Sequence, residues 1–138
     1  MNKTKLLWLI IGGALILSLV ACSSGADRGA EIPVGNGTLY YLPSITQAEA
    51  ERFIEFGWES EMYADDSALD IQLRKEGGAY EMRMIIKEGI DVDSIIPFMT
   101  GMACLLESEV FDGTVNVIVL EPDTQSFDSG IIRREFCR

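Results

Sequence analysis

An alternation of apolar and polar residues along residues 69–87 constrains the fold more than any other feature of this sequence. In the stretch LDIQLRKEGGAYEMRMIIK, apolar side chains recur at every second position on both sides of Gly77-Gly78. A period of two is typical of β-strands, and adjacent glycines readily adopt the positive φ values of a tight turn. The sequence therefore predicts an antiparallel hairpin, whose polar faces are expected to be in solvent. These faces carry Asp70, Gln72, Arg74, Glu81, Arg83 and Lys87.

Two other segments have the apolar spacing of helices. In ITQAEAERFIEF, Thr46 can cap the helix N-terminus, and Glu49, three residues later, can complete a capping box. A second helix is predicted in DVDSIIPFMTGMACLLESEVF, with Asp93 or Ser94 as its cap. The expected buried stripe of this second helix consists of Phe98, Met99, Met102, Ala103, Leu105, Leu106 and Val110.

Strands are further indicated by the segments TLYYL, GTVNVIVLE and GIIRREFC. The resulting order, β-α-β-β-α-β-β, predicts a single α+β domain over residues 38–138. We expect an antiparallel sheet with both helices packed on one face. The two helix-to-strand junctions, MYADDSALDIQL and VFDGTVNVIVL, have similar sequences, and either a duplicated unit or chance explains the similarity.

The N-terminus has the features of a signal peptide. Lys3 and Lys5 precede an apolar run over residues 6–20, which is shorter than the roughly 20 residues that a membrane-spanning helix needs. At the C-terminal end of this run, Leu19-Val20-Ala21-Cys22 resembles the lipobox of bacterial lipoproteins. In these proteins the peptide is cut before the cysteine, and the thiol carries lipid.

That resemblance implies a lipoprotein signal peptide over residues 1–21 and lipidation, including acyl chains such as palmitate, at Cys22. The small, glycine-rich residues 22–37 then predict a flexible tether. The alternative is an uncleaved N-terminal anchor. Either anchor would hold the domain at the membrane on the extracytoplasmic side, in the outer membrane or periplasm if the cell has two membranes.

Composition excludes several kinds of chemistry. The formal net charge is −11, which argues against a nucleic-acid partner. The chain has no histidine, so it lacks Ser-His and Cys-His nucleophile pairs and histidine metal ligands. Acidic pairs that could support a carboxylate-dependent enzyme sit where caps and turns already favour aspartate. These pairs are Asp65-Asp66, Asp91 with Asp93, and Asp123 with Asp128. We therefore predict no catalytic residue, no cofactor and no metal.

Cys104 and Cys137 are the two cysteines other than Cys22. A helical wheel places Cys104 opposite the apolar stripe, where a free thiol outside the cytoplasm would be reactive, so we predict a Cys104–Cys137 disulfide. Two unpaired cysteines are the alternative. A weaker hypothesis is a ligand groove lined by aromatic residues, in place of their packing in the core. The residues of this candidate groove are Tyr40, Trp58 and Tyr63.

Three stretches, GTLYYLPSITQAEAERFIEFGW, SALDIQLRKEGGAYEMRMIIKEG and EVFDGTVNVIVLEPD, resemble an uncharacterised small bacterial domain. The resemblance covers residues 37–123 and implies no activity. We therefore expect a membrane-anchored cell-envelope lipoprotein that acts as a binding or assembly module. Its partners would be membrane lipid, through Cys22, and an envelope protein. A small carboxylate-dependent enzyme and a passive structural lipoprotein are the alternatives.

Overall fold

Six strands and two helices follow one another along the chain. A computed structural model describes residues 28–66 and 68–138, so the signal peptide and Cys22 predicted above lie outside the described residues. The elements are β1 (Ala30–Val34), β2 (Gly37–Tyr41), α1 (Gln47–Glu59), β3 (Asp70–Glu76), β4 (Ala79–Ile85), α2 (Val92–Glu109), β5 (Val115–Leu120) and β6 (Ile131–Phe136). No helix among the described residues is long and apolar enough to cross a membrane.

The strands form one mixed sheet in the order β1-β2-β3-β4-β5-β6. The pairs β1–β2, β3–β4 and β5–β6 are antiparallel, whereas β2–β3 and β4–β5 are parallel. The α+β class is confirmed, but the expected purely antiparallel sheet is wrong. Each parallel pair is joined through a helix, which returns the chain to the end of the sheet where the first strand of the pair began.

The first strand was not expected. β1 lies within the predicted tether over residues 22–37, so that prediction is corrected from Ala30 onward. Pro33 and the surrounding glycines favour a loop in the sequence. Because β1 is an edge strand, Pro33 can be accommodated without breaking the sheet, and β1 pairs with β2 from Ala30 to Val34.

The local signals of the hairpin and of α1 are confirmed. Gly77 and Gly78 have φ values of 60° and 83° and connect β3 to β4. At the start of α1, the Thr46 hydroxyl oxygen accepts a hydrogen bond from the Glu49 N–H at 3.2 Å. The Glu49 carboxylate in turn accepts one from the Thr46 N–H at 2.8 Å, so the capping box is complete.

Both helices pack on the same face of the sheet and share one apolar core. The helix residues buried there are Ala50, Phe53, Gly57, Met99, Met102, Ala103 and Leu106. Two details of α2 differ from expectation. Asp91 is the cap, because its carboxylate accepts from the Asp93 N–H at 3.2 Å. Phe98 and Leu105, expected in the buried stripe, are 52% and 47% exposed.

The other face of the sheet is not the solvated surface that the alternation predicted. Gln72, Arg74, Glu81 and Arg83 are all buried, with Arg74 the most accessible at 8%. A second, smaller apolar cluster lies on this side, around Phe127. Phe127 comes from the loop over residues 121–130, which connects β5 to β6. This arrangement defines the first candidate site.

Candidate functional site

Charged side chains form a connected network on the sheet face opposite the helices. We call it the polar-face network, and it consists of Gln72, Arg74, Glu81, Arg83, Asp128 and Arg134. The antiparallel register sets Gln72 opposite Arg83 and Arg74 opposite Glu81 on neighbouring strands. Because successive side chains of a strand point to opposite faces, all four project away from the helices.

Arg74 and Arg83 are held in place by neighbouring sheet residues. Arg74 donates through Nε to the Gln72 side-chain oxygen at 2.9 Å, and its Nη2 donates to the same oxygen. Arg83 donates through Nε to Glu81 at 2.8 Å, and Arg134 reaches the other Glu81 oxygen at 3.2 Å. Glu81 is thus a buried carboxylate between two guanidinium groups, the environment in which buried charge is tolerated.

The loop over residues 121–130 supplies the remaining contacts. The Phe127 carbonyl oxygen accepts from Arg83 Nη1 at 2.6 Å, and the Phe127 ring lies 5.6 Å from the Tyr40 ring. The neighbouring residue, Asp128, places its Oδ1 atom 2.6 Å from Arg74 Nη1 and 4.0 Å from Arg83 Nη1. One buried arginine, Arg74, therefore donates to this carboxylate, and a second, Arg83, lies at ion-pair distance from it, an arrangement suited to binding an anion.

A second cluster of charge and sulfur surrounds the end of β6. The structure joins Cys104 of α2 to Cys137, with Cα atoms 4.6 Å apart, a separation that a disulfide requires. Beside them, buried Glu135 pairs with Arg133 at 2.7 Å and with Arg138 at 3.0 Å. The hydrogen bond from Arg133 lowers the pKa of Glu135, and the charges of Arg133 and Arg138 act in the same direction.

β6 is a sheet edge that exposes large apolar side chains. Within the described residues it pairs only with β5, and a register shift interrupts that pairing beside Leu120. Ile131, Ile132 and Phe136 are between 42% and 48% exposed. Exposed apolar groups on a strand with a free edge are a common feature of strand-pairing surfaces. The segment GIIRREFC predicts this strand but not its position at the edge of the sheet.

The three aromatic residues proposed for a ligand groove do not lie together. Tyr40 belongs to the cluster around Phe127, whereas Tyr63 lies in the core beneath the helices. Trp58 is 40% exposed and its ring is 5.9 Å from that of Tyr63. Burial raises the pKa of Tyr63, whose hydroxyl has no hydrogen-bond partner in the described part of the chain. The sheet therefore separates Tyr40 from the other two.

Two members of the acidic pairs considered for catalysis have structural contacts in the fold. Asp91 caps α2, and Asp128 contacts the arginines of the polar face. Among the described residues, the carboxyl groups of Glu135 and Glu49 have lowered pKa values. Burial acts to raise the pKa of Glu49, but the hydrogen bonds from Thr46 and Tyr80 outweigh it and lower the pKa overall. Among residues 28–66 and 68–138, no three Cys, Asp or Glu side chains cluster as a metal site would require.

These features define a small α+β domain with a six-stranded mixed sheet, helices on one face and charged groups on the other. A protein-family model, AF_1994_N, described as a family N-terminal domain, matches residues 31–128. The chain belongs to this family. No curated protein matches the chain, and no solved structure matches it either. The lipobox resemblance concerns residues outside those described and stays a prediction.

Proposed function

We propose that this protein is a membrane-tethered docking module of the cell envelope, anchored by lipid on Cys22. Its docking surface is the edge of β6 that no strand among the described residues covers, and its ligand is an extended acidic and apolar segment of a partner protein. The segment would pair with β6 as an added strand. The observation that carries this proposal is the exposure of Ile131, Ile132 and Phe136 on a sheet edge.

The opposite edge of the same sheet provides an internal comparison. β1 carries Pro33, which cannot donate to a new strand, and exposed Glu31, a charged residue of the type that blunts edges. β6 has no proline, and four of its first five positions are exposed. Both edges carry exposed charges, since Arg133 and Arg134 are exposed on β6, but the proline lies on β1 and the large exposed apolar side chains that a partner strand would cover lie on β6.

Charge favours an acidic partner over a second copy of this chain. Arg133, Arg134 and Arg138 all fall within the last six residues of a chain whose net charge is −11. A partner segment with alternating acidic and apolar residues would match this edge. Antiparallel pairing of two β6 strands about their midpoint would instead place Arg133 opposite Arg134, and like charges directly opposite each other are destabilising.

Contacts with α2 also hold the β6 strand in place. The Cys104–Cys137 bridge ties the end of β6 to α2, and the Thr100 hydroxyl lies 3.4 Å from the Glu135 carboxylate. A strand that is already ordered loses less entropy when a partner adds to it, so more of the interaction energy appears as affinity.

The alternatives receive less support. A carboxylate-dependent enzyme would use an acid whose pKa is raised, but the pKa values of Glu49 and Glu135 are both lowered. A depression between the helices is lined mainly by charged groups, with no convergent catalytic set. Its lining residues are Arg52, Glu55, Phe56, Glu59 and Glu109. A passive structural lipoprotein would have no need of exposed apolar side chains along one sheet edge.

A photocrosslinking experiment in intact cells tests the docking surface. A photoreactive phenylalanine derivative is placed at Ile132 or Phe136, and at Trp58 as a control of similar exposure away from β6. We expect one heterologous crosslink from the two β6 positions, mapped by mass spectrometry to an acidic, extended segment of the partner. Equal crosslinking from Trp58, a product containing two copies of this chain, or no product would overturn the proposal.

A substitution that replaces an apolar side chain by a negative charge supplies the matched variant. Phe136→Asp should weaken capture of the crosslinked partner at least about tenfold, because it removes an apolar contact and places a carboxylate against an acidic segment. Trp58→Asp, which changes a side chain of similar exposure elsewhere, should leave capture unchanged. Equal loss in both variants would indicate a general effect of surface charge and would contradict the β6 assignment.

The anchor is tested separately. Cells labelled with a palmitate analogue should incorporate the label into the wild-type chain and not into Cys22→Ala. The variant should also fractionate away from membranes if lipid is the anchor. Labelling that persists in Cys22→Ala would overturn lipidation at this residue, without bearing on the β6 edge.

A further inference from the structure

We infer that Arg74 and Arg83 form a carboxylate-binding site that the chain's own Asp128 occupies in this structure. The ligand class is a carboxylate carried by another molecule, such as an acidic side chain or a chain terminus. This site lies on the polar face and is independent of the proposed docking along the β6 edge. Three properties of the polar-face network support it: preorganised arginines, an unbalanced positive charge and an occupant that can exchange.

The arginines do not depend on Asp128 for their positions. Arg74 is fixed by its two donations to Gln72, and Arg83 is fixed by Glu81 and by the Phe127 carbonyl oxygen. Their side chains are 10% and 7% exposed, so the surrounding protein restricts their movement. Removal of the Asp128 carboxylate would leave Arg74 Nη1 without the carboxylate to which it donates at 2.6 Å, and the Arg83 guanidinium would remain as a second positive charge, 4.0 Å from the same oxygen position.

The sheet does not balance its own charge at this point. Arg74, Arg83 and Arg134 contribute three positive charges. Among sheet residues, Glu81 and the exposed Glu76, 3.7 Å from Arg83, contribute two negative charges. One positive charge is left for a carboxylate from outside the sheet. A single ionised carboxylate satisfies it, whereas a neutral ligand would leave Arg74 with an incomplete set of charged partners.

The present occupant is the part of the network most able to exchange. The Asp128 side chain is 56% exposed, in contrast to the two arginines that it contacts. The adjacent Phe127 is buried and anchored by Arg83, so the loop can stay in place while the Asp128 side chain rotates away. An external carboxylate could therefore replace Asp128 without unfolding the cover of the polar face.

The test is a titration of the full-length chain in detergent micelles with sodium acetate, at constant ionic strength maintained with chloride. The Nε–H resonances of Arg74 and Arg83 are followed by nuclear magnetic resonance. In Asp128→Ala we expect a saturable shift of both resonances, with an apparent affinity about fivefold higher than in the wild type, the ratio expected for loss of a partly exposed competing ion pair. Asp123→Ala, in the same loop, should behave as the wild type.

Two outcomes would overturn the site. If acetate shifts the arginine resonances equally in the wild type and in Asp128→Ala, Asp128 does not compete for the site. If Asp128→Ala gains no acetate response but melts at a lower temperature, the ion pair is structural only. The double variant Asp128→Ala/Arg74→Gln must lose the acetate response while it retains the wild-type circular dichroism spectrum. Asp128→Asn provides the same test if the alanine variant does not fold.

Discussion

At the scale of single residues, the hydroxyl group of Tyr63 is an unusual feature of the core. It is buried, and it has no hydrogen-bond partner within residues 28–66 and 68–138. A desolvated polar group without a partner destabilises the folded state by about 1–3 kcal/mol. Tyr63→Phe removes that group and keeps the ring contact with Phe53, at 6.3 Å between centroids.

We therefore expect Tyr63→Phe to be as stable as the wild type or more stable by up to about 1 kcal/mol. Urea unfolding followed by circular dichroism measures the difference. A loss of more than about 1 kcal/mol would show that the hydroxyl group makes a hydrogen bond in solution.

Two helix glycines should respond in opposite ways to the same substitution. A Cβ atom at Gly57 of α1 would lie 2.3 Å from the Tyr63 ring, whereas a Cβ atom at Gly101 of α2 would meet nothing within 4 Å. The Tyr63 N–H also donates to the Gly57 carbonyl oxygen at 2.9 Å, which limits how far the ring can move.

Gly57→Ala is expected to lose about 2 kcal/mol through overpacking, despite the better helix propensity of alanine. Gly101→Ala should gain about 0.5–1 kcal/mol, because propensity acts there without a steric penalty. Thermal unfolding of the two variants side by side measures both effects. Stabilisation by Gly57→Ala would mean that the Tyr63 ring is free to move.

At the scale of elements, the Cys104–Cys137 bridge connects α2 to the end of β6. The two cysteines are 33 residues apart in sequence, a separation for which loop entropy predicts about 3–4 kcal/mol of stabilisation. We expect the double variant Cys104→Ser/Cys137→Ser to lose stability of this order, with faster hydrogen exchange in β6 than in β3. Ser108→Ala, on the same helix, controls for substitution in α2.

Mass spectrometry before and after reduction and alkylation determines whether the bridge exists in the isolated protein. The intact mass should increase by two alkyl groups on Cys104 and Cys137 only after reduction. Alkylation of both thiols without reduction would contradict the prediction. Equal stability of the double variant and the wild type would contradict the role of the bridge in holding β6.

The faces of the strands could be predicted from the sequence, but their directions and neighbours could not. Alternation assigned Ile71 and Leu73 to one face, and both are buried against the helices. Alternation is the same for parallel and antiparallel strands, so it could not show that β2 and β3 run in parallel. Nor could it reveal β1, whose Pro33 reads locally as a loop.

At the scale of the whole molecule, the polar face shows why the candidate site could not be predicted from the sequence. The residues were identified, because Gln72, Arg74, Glu81 and Arg83 all lie on the face predicted to be polar. Their burial depends on a loop far along the chain, and Arg74 and Asp128 are 54 positions apart. Local pattern contains no information about contacts at that distance. The only available signal was the presence of two arginines on one strand-pair face of a strongly acidic chain.

The dependence of stability on pH in the acid range comes from carboxyl groups, because the chain has no histidine. Glu135 is a buried carboxylate whose pKa is lowered in the fold. Its charge therefore stabilises the folded state at neutral pH, and that stabilisation is lost in acid.

A carboxyl group whose pKa is lower in the folded than in the unfolded chain stabilises the fold fully above its unfolded pKa, about 4.3 for glutamate. That stabilisation disappears as the pH falls through the lower, folded pKa. For Glu135 the loss is expected below about pH 4.5, where protonation weakens its pairs with Arg133 and Arg138. Glu49, whose pKa is also lowered, contributes in the same direction.

Glu135→Gln should therefore be less stable than the wild type at pH 7, and the difference should shrink as the pH approaches 3. Urea midpoints measured from pH 7 to pH 3 provide the comparison. Glu88→Gln makes the same change of charge at an exposed loop position and serves as the control. A constant difference between Glu135→Gln and the wild type across the range would show that Glu135 acts through packing and not through its charge.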